Sequence, residues 1–253
     1  MNNASPKMSG QNINWKSIAL FYIIAICISA PFHLGSAIPF YRSITEKYMI
    51  GEWTFLPACL GTLMAVGIIS LLNKSQKRNI TFFGNNSYKN LLIAITPFII
   101  FTCVGIENNI HKNPHYFAFA FAGMALVYAV AEEIAWRGYL LDALSPLNKQ
   151  IRVLLIGLMW WAWHMRFNSA FDWTIFLFIC VGGTLFLIKF TVDTQSYFCA
   201  AGLHSLIIIT TNGDAGPFNN KKIVATVLTI LVWLAIGKLT SNKLITNTEN
   251  DRL

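Results

Sequence analysis

The sequence predicts an all-α integral membrane protein, a bundle of about eight transmembrane helices. Hydrophobic residues make up 55% of the 253 residues and charged residues only 12%, whereas soluble domains carry about 25% charged residues. The apolar residues gather into long runs, separated by short polar segments that contain Lys and Arg. Runs of roughly 17 to 25 apolar residues are long enough to cross a bilayer as helices.

One helix is assigned to each apolar run. The first run follows Lys16 like a signal peptide, but Pro31 makes a poor cleavage site, so we expect an uncleaved helix. Pro97 interrupts the third run, and Ser145-Pro146 ends the fourth. The predicted spans are residues 17–32, 53–72, 91–106, 116–144, 151–167, 173–190, 196–211 and 223–239.

The chain is predicted to form one membrane domain, residues 16–240, between polar tails at 1–15 and 241–253. The net charge is +8, but the cations are spread over the short connecting segments and form no basic face. They predict topology instead of nucleic-acid binding, and more of them fall on the side that holds the N-terminus. We therefore expect both termini in the cytoplasm, and the compact length with Asn- and Lys-rich ends favours a bacterial plasma membrane.

The most unusual stretch holds Glu132, Glu133 and Arg137, which follow the apolar residues 116–131. Each ionised group near the bilayer centre costs roughly 2.5 to 3.5 kcal/mol on insertion scales, which suggests a use. On an α-helix Glu133 and Arg137 share a face and can form an ion pair, whereas Glu132 points about 100° away. This spacing leaves Glu132 as the working carboxylate. A charge cluster that only locks helix packing, or a helix end in the headgroups, is the alternative.

Two histidines also lie within apolar spans, His164 after a tryptophan-rich segment and His204 after Gly202. If the fourth and fifth helices form an antiparallel hairpin, Glu132 and His164 stand at matching depth, about 20 Å from the turn. Small residues before His204 allow its helix to approach closely. The three side chains are thus predicted to converge, although each histidine alone is as well explained by packing.

A carboxylate and two imidazoles suit a hydrolase. Glu132 can take a proton from water that one imidazole orients, while the other imidazole donates to the oxyanion of a peptide carbonyl. Glu132, His164 and His204 can instead hold a divalent metal such as zinc. The residues alone leave both mechanisms open.

The ordered motifs resemble a known family. They are Glu132-Glu133-x-x-x-Arg137, the aromatic Trp160 four residues before His164, and the later His204. Over about residues 90–215 the chain resembles the CPBP intramembrane proteases (CAAX proteases and bacteriocin-processing enzymes, or Abi family), which include lysostaphin resistance protein A-like proteins. The resemblance implies an eight-helix bundle with a cavity open to the cytoplasm, in which Glu132 and His164 activate water and His204 assists at the oxyanion. It implies supporting roles for Glu133, Arg137 and Trp160.

The family is described both as metalloproteases and as glutamic endopeptidases, and we favour the mechanism without a metal. Two positions depart from its motifs: Trp160 replaces a usual Phe, and Ile208 stands where the prenyl protease branch has Asn. Loss of that donor can weaken oxyanion stabilisation by about 3 to 4 kcal/mol.

The expected substrate is a peptide or membrane-tethered protein, in peptide maturation or bacteriocin self-immunity. The alternatives are a catalytically silent scaffold or immunity protein of the same fold, and an ion-coupled transporter that uses Glu132 and Glu133 as carriers.

Overall fold

The computed structural model describes residues 12–48, 53–73, 79–108, 112–211 and 219–250. These residues form helices joined by short connections, with a single isolated β-bridge between Thr81 and Ser196 among them. The α-helices are α1 Trp15–His33, α2 Ile38–Thr45, α3 Cys59–Leu72, α4 Ser87–Val104, α5 Pro114–Glu133, α6 Leu141–Ala143, α7 Lys149–Trp163, α8 Ala170–Trp173, α9 Ile175–Thr194, α10 Tyr197–Thr211 and α11 Asn220–Asn250.

The predicted fold class, an all-α integral membrane protein, is confirmed. Each of the eight predicted spans overlaps one of the longer helices. In the described part of the chain, five segments are long and apolar enough to cross a membrane: Trp15–His33, Ser87–Val104, Pro114–Ala143, Ala170–Thr194 and Asn220–Lys238. Two shorter apolar helices, Leu56–Leu72 and Tyr197–Thr211, correspond to the second and seventh predicted spans.

Several helix boundaries differ from the predicted ones. The fifth predicted span reaches residue 167, but α7 ends at Trp163, because Met165 adopts a left-handed φ of 52° that an α-helix does not contain. Helix α4 runs through Pro97 without a break. Helix α11 continues to Asn250, within the predicted C-terminal tail, whereas residues 1–11 of the predicted N-terminal tail lie outside the described residues.

The fourth predicted span is not a regular α-helix over its whole length. Helix α5 ends at Glu133, and a π-helix, Ile134–Leu140, continues it. A π-helix has i→i+5 hydrogen bonds, so side chains after Glu133 turn by less per residue than in an α-helix. The α-helical spacing on which the predicted ion pair of Glu133 and Arg137 rests is therefore replaced by π-helical spacing from Ile134 onward.

The chain divides into two compact units. The first comprises residues 1–79 and 135–188, and the second comprises residues 80–134 and 189–253. Glu132, Glu133 and His204 belong to the second unit, whereas Arg137, Trp160 and His164 belong to the first. The single membrane domain at 16–240 stays a prediction.

Ser29 joins three helices of the first unit. Its hydroxyl donates to the carbonyl of Ala58, before α3, and accepts the indole N–H of Trp163 in α7 at 2.9 Å. Gly61 of α3 lies so close to α1 that an added Cβ would stand 2.6 Å from the carbonyl oxygen of Ala25. A small residue at Gly61 is thus required for α1 to pack on α3.

Small residues play the same part in the second unit. A Cβ added to Gly202 of α10 would lie 2.6 Å from the Cα of Ala94 in α4, which confirms the predicted close approach of this helix. The apolar cluster beside it contains Ala94, Ala129, Phe198 and Ala201. In this way α10 packs directly on α4 and α5. This packing places His204 of α10 next to these helices.

The contact at Gly202 predicts a stability difference between two Gly→Ala variants. Gly202→Ala should lower the free energy of unfolding by about 1 to 3 kcal/mol, because the methyl group must displace the α4 backbone. Gly67→Ala on an open face of α3, with nothing within 4 Å of the added Cβ, should be neutral or about 0.5 to 1 kcal/mol stabilising. Unfolding in detergent measures both, and equal effects would contradict the packing.

Candidate active site

Helix α5 carries Glu132 and Glu133 as its last two residues. It begins at Pro114, where the side chain of Asn113 caps the first turn by accepting from the N–H groups of His115 and Tyr116. Alanines at 118, 122, 125 and 129 are fully buried and let neighbouring helices approach. Both glutamate side chains are 0% exposed. The carboxylates are therefore removed from bulk solvent in a candidate membrane span.

His204 of α10 bonds to the second of these carboxylates. Its Nδ1 lies 2.9 Å from Oε1 of Glu133, and both side chains are buried. The sequence predicts that His204 lies near Glu132, and the structure places its Nδ1 against the carboxylate of the adjacent residue, Glu133. A carboxylate oxygen accepts, so Nδ1 donates in this bond, while Nε2 accepts in the neutral ring and donates when the ring carries both protons.

A carboxylate on one ring nitrogen fixes what the other nitrogen can do. In hydrolases, such a bond holds an imidazole in one tautomer and orientation. In metal sites, the ligating histidine usually donates its second N–H to a carboxylate. The bond between Glu133 and His204 is thus compatible with a catalytic imidazole and with a metal ligand. By itself it does not distinguish these two roles.

Arg137 lies in the π-helix and is completely buried in the first unit. Its guanidinium stands over the ring of Trp160, 4.5 Å from the centroid, and one of its terminal nitrogens donates to Oγ1 of Thr184 at 3.2 Å. A cation over an indole is stabilised by the ring's electron-rich face. Trp160 therefore stabilises the buried charge of Arg137. The predicted ion pair of Arg137 with Glu133 combines residues of different units and stays a prediction.

His164 follows the last residue of α7 and is half-buried. Its Nδ1 lies 2.8 Å from the carbonyl oxygen of Trp160, so Nδ1 donates, because a carbonyl only accepts. The rings of Trp160, Trp163 and Phe176 stand 5.6, 5.0 and 5.0 Å from it, centroid to centroid. The ring is held among aromatic side chains directly after the helix end, whereas the predicted span continues for three residues beyond His164.

Tyr128 of α5 and Trp136 and Tyr139 of the π-helix are all buried. Trp136 and Tyr139 both pack on Phe21 of α1, with ring centroids 5.8 and 4.7 Å away. The indole nitrogen of Trp136 and the hydroxyl of Tyr139 have no hydrogen-bond partner among the described residues.

Two residues near the site are not among those predicted. Thr184 supplies the hydroxyl that Arg137 contacts, and nothing in the apolar run around it distinguishes this threonine. His33 stands 6.0 Å from His164, ring centroid to ring centroid. The sequence places His33 in a connection, and its position directly after an apolar run is the signal that could have identified it.

Convergence of Glu132, His164 and His204 stays a prediction, because these residues are divided between the two units. Within each unit, the described residues contain no group of three or more His, Cys, Asp and Glu side chains able to hold a metal ion.

Ile208, at the position of the asparagine in the prenyl protease branch, packs on the apolar cluster around Ala129.

The comparisons with known proteins give one match. A family model described as type II CAAX prenyl endopeptidase Rce1-like matches residues 114–210, the segment that carries all the predicted site residues. A search of curated proteins and a search of solved structures each found no match. The matched family indicates a CAAX-type intramembrane endopeptidase. Residues 114–210 of the chain therefore match the Rce1-like type II CAAX prenyl endopeptidases, which are part of the CPBP family.

Proposed function

We propose that this protein hydrolyses a peptide bond of a peptide or membrane-tethered protein, with Glu132, His164 and His204 as its catalytic residues. The observation that carries the proposal is the buried bond of 2.9 Å between His204 and Glu133, directly beside Glu132 in a candidate membrane span. Buried ionisable groups in such a span are costly and are usually functional. A silent scaffold requires none of these three catalytic side chains.

In the proposed reaction Glu132 removes a proton from water that His164 orients. The resulting hydroxide attacks the carbonyl carbon of the scissile peptide, and the tetrahedral intermediate collapses with cleavage of the C–N bond. The proton held by Glu132 passes to the leaving amine. His164 suits the orienting role because its Nδ1–H is bonded to the Trp160 carbonyl and its Nε2 is an acceptor.

His204 would stabilise the oxyanion of the intermediate through Nε2–H. This requires a proton on both ring nitrogens, and the carboxylate at Nδ1 neutralises the positive charge that such a ring carries. Glu133 is accordingly a positioning residue in this scheme. Arg137 and Trp160 support the wall of the site through their buried stacking contact.

A resident metal is not part of the favoured mechanism. In the alternative, Glu132, His164 and His204 would hold a divalent ion such as zinc, which would polarise the peptide carbonyl and the attacking water. The donor types fit such an ion, and the carboxylate on Nδ1 of His204 is a common support for a ligating imidazole.

The substrate we propose is not a prenylated CAAX protein. Ile208 is apolar, and it packs on the cluster that contains Ala129 and Phe198, so the donor of the prenyl protease branch is lacking at this position. We place the protein in a bacterial plasma membrane with both termini in the cytoplasm. There it would serve peptide maturation or bacteriocin self-immunity.

Glu132→Gln tests the proposed general base. The kcat for a quenched peptide library should fall by about 10² to 10⁴, because an amide cannot take the proton from water. Glu107→Gln is the matched control: this exposed glutamate pairs with Lys221 at 3.2 Å, far along the sequence from the motif, and its variant should retain full activity. Equal cleavage by both purified variants would refute the role of Glu132.

Glu133→Leu tests the positioning bond. Removing the acceptor from the buried Nδ1–H of His204 should lower the free energy of unfolding by about 1 to 3 kcal/mol. Glu107→Leu removes an exposed ion pair and should cost at most about 1 kcal/mol. Thermal unfolding in detergent compares them, and a Glu133→Leu protein as stable as its control would show that the bond contributes nothing.

The substrate class is tested with two peptides of one sequence, one farnesylated at a C-terminal CAAX cysteine and one unmodified. We expect no preference for the farnesylated peptide in kcat/KM, because the site lacks the asparagine of the prenyl branch. A preference of tenfold or more would place the protein in that branch despite Ile208. Mass spectrometry of the products measures both rates.

A further inference from the structure

Arg166 lies two residues after His164, in the connection between α7 and α8. The left-handed φ of Met165, 52°, turns the chain there. Beyond this turn, both side chains stand on one ring: the centroid of Phe176 is 5.0 Å from the imidazole centroid of His164 and 4.9 Å from Cζ of Arg166. A cation is thus placed beside the proposed catalytic histidine.

A buried carboxylate holds the guanidinium of Arg166. Its Nε lies 3.3 Å from Oδ1 of Asp172, whose side chain is only 8% exposed. The other carboxylate oxygen of Asp172 accepts from the backbone N–H and the hydroxyl of Ser169, at 3.1 and 2.8 Å. With Asp172 at Nε and Phe176 against its face, the guanidinium has a fixed orientation.

The connection that carries Arg166 is itself well packed. Three aromatic rings close it, with centroids 5.2, 5.4 and 5.0 Å apart: Trp161, Phe167 and Trp173. The indole N–H of Trp161 donates to the carbonyl of Asp172 at 2.8 Å, and that of Trp173 donates to the carbonyl of Phe167 at 3.0 Å. The position of Arg166 is therefore set by packing and hydrogen bonds on both sides of it.

The outer edge of the guanidinium is open to a ligand. The Arg166 side chain is 57% exposed, and its contacts with the described residues engage Nε and the face of the group. Its two terminal nitrogens carry four further N–H donors. A fixed arginine fork of this kind matches the two oxygens of a carboxylate, which it binds through two parallel hydrogen bonds.

We propose that Arg166 binds a carboxylate of the substrate peptide, close to the scissile bond. The carboxylate is the free C-terminus of the peptide or the side chain of an Asp or Glu, and the chemistry of recognition is the same. Since His164 and Arg166 stand on one ring and an extended chain advances about 3.4 Å per residue, the acidic group lies within about three residues of the bond that is cleaved. The inference rests on the proposed function, because it names the substrate class of the same site.

The first test measures binding and needs no cleavage. One apolar, dye-labelled peptide is prepared with a free C-terminus, with a C-terminal amide, and as an amide with glutamate scanned along the sequence. Fluorescence polarisation follows their binding to the full-length Glu132→Gln protein in neutral detergent at about 0.15 M salt, where distant charges are screened. We expect at least one acidic form to bind tenfold or more tightly than the neutral amide. Which form it is distinguishes a C-terminal carboxylate from an acidic side chain.

Two further substitutions, each combined with Glu132→Gln, assign the preference to a residue. Arg166→Gln should reduce the affinity ratio of acidic to neutral peptide to less than twofold, because an amide lacks the charged fork. Arg42→Gln is the matched control, since it removes an exposed arginine from α2 of the same unit and should leave the ratio unchanged. If Arg166→Gln does not fold, Arg166→Lys keeps a charge for Asp172 without the fork, and it should reduce the ratio at least threefold.

The second test measures kcat/KM of wild type for the same peptides, which should show the same preference. Tight, Arg166-dependent binding of acidic peptides without cleavage would refute the proposed function and leave the inference standing. Cleavage with no preference for any acidic form would overturn the inference alone. It would be overturned equally by a binding ratio that Arg166→Gln and Arg166→Lys leave unchanged. Binding of anionic phospholipid that requires Arg166, with no peptide preference, would assign the residue to lipid headgroups instead.

Discussion

The hydrogen bond between His204 and Glu133 is the interaction on which the second unit depends. A buried carboxylate and a buried imidazole are each unfavourable in an apolar medium, and their contact offsets part of that cost. The distance of 2.9 Å requires α10 to lie directly on α5. Gly202 permits this, because a side chain there would collide with Ala94 of α4. The small residues of the unit are thus a consequence of its polar pair.

The first unit buries its cation in another way. Arg137 has an indole face on one side and a threonine hydroxyl on another, so its charge is stabilised without exposure to solvent. Ser29 and Trp163 then fix α7 against α1, and the rings at the end of α7 hold His164. Each unit therefore presents one histidine whose Nδ1 is bonded to a fixed acceptor, Glu133 for His204 and the Trp160 carbonyl for His164.

Hydropathy predicted the helices because each apolar run is bounded by polar residues. It could not predict the π-helix after Glu133, since backbone hydrogen-bond register leaves no mark on composition. The end of α7 was missed for a similar reason: Met165 takes a positive φ that a Met does not signal. The sequence also predicted that His204 lies close to Glu132, but not that its Nδ1 bonds to Glu133. Which glutamate Nδ1 contacts depends on how α10 packs against α5, because His204 and Glu133 are 71 residues apart in the sequence.

A protease inside a membrane has to bring water to a peptide bond where the medium is apolar. Buried polar atoms of Trp136, Tyr139 and His33 have no hydrogen-bond partner among the described residues, and buried water commonly binds to such atoms. The most direct measurement is peptide cleavage by purified wild-type protein before and after exhaustive chelation. The account predicts a rate unchanged within twofold, with glutamate and histidine activating the water. Complete loss of cleavage, restored by stoichiometric zinc, would contradict it and assign the chemistry to a metal.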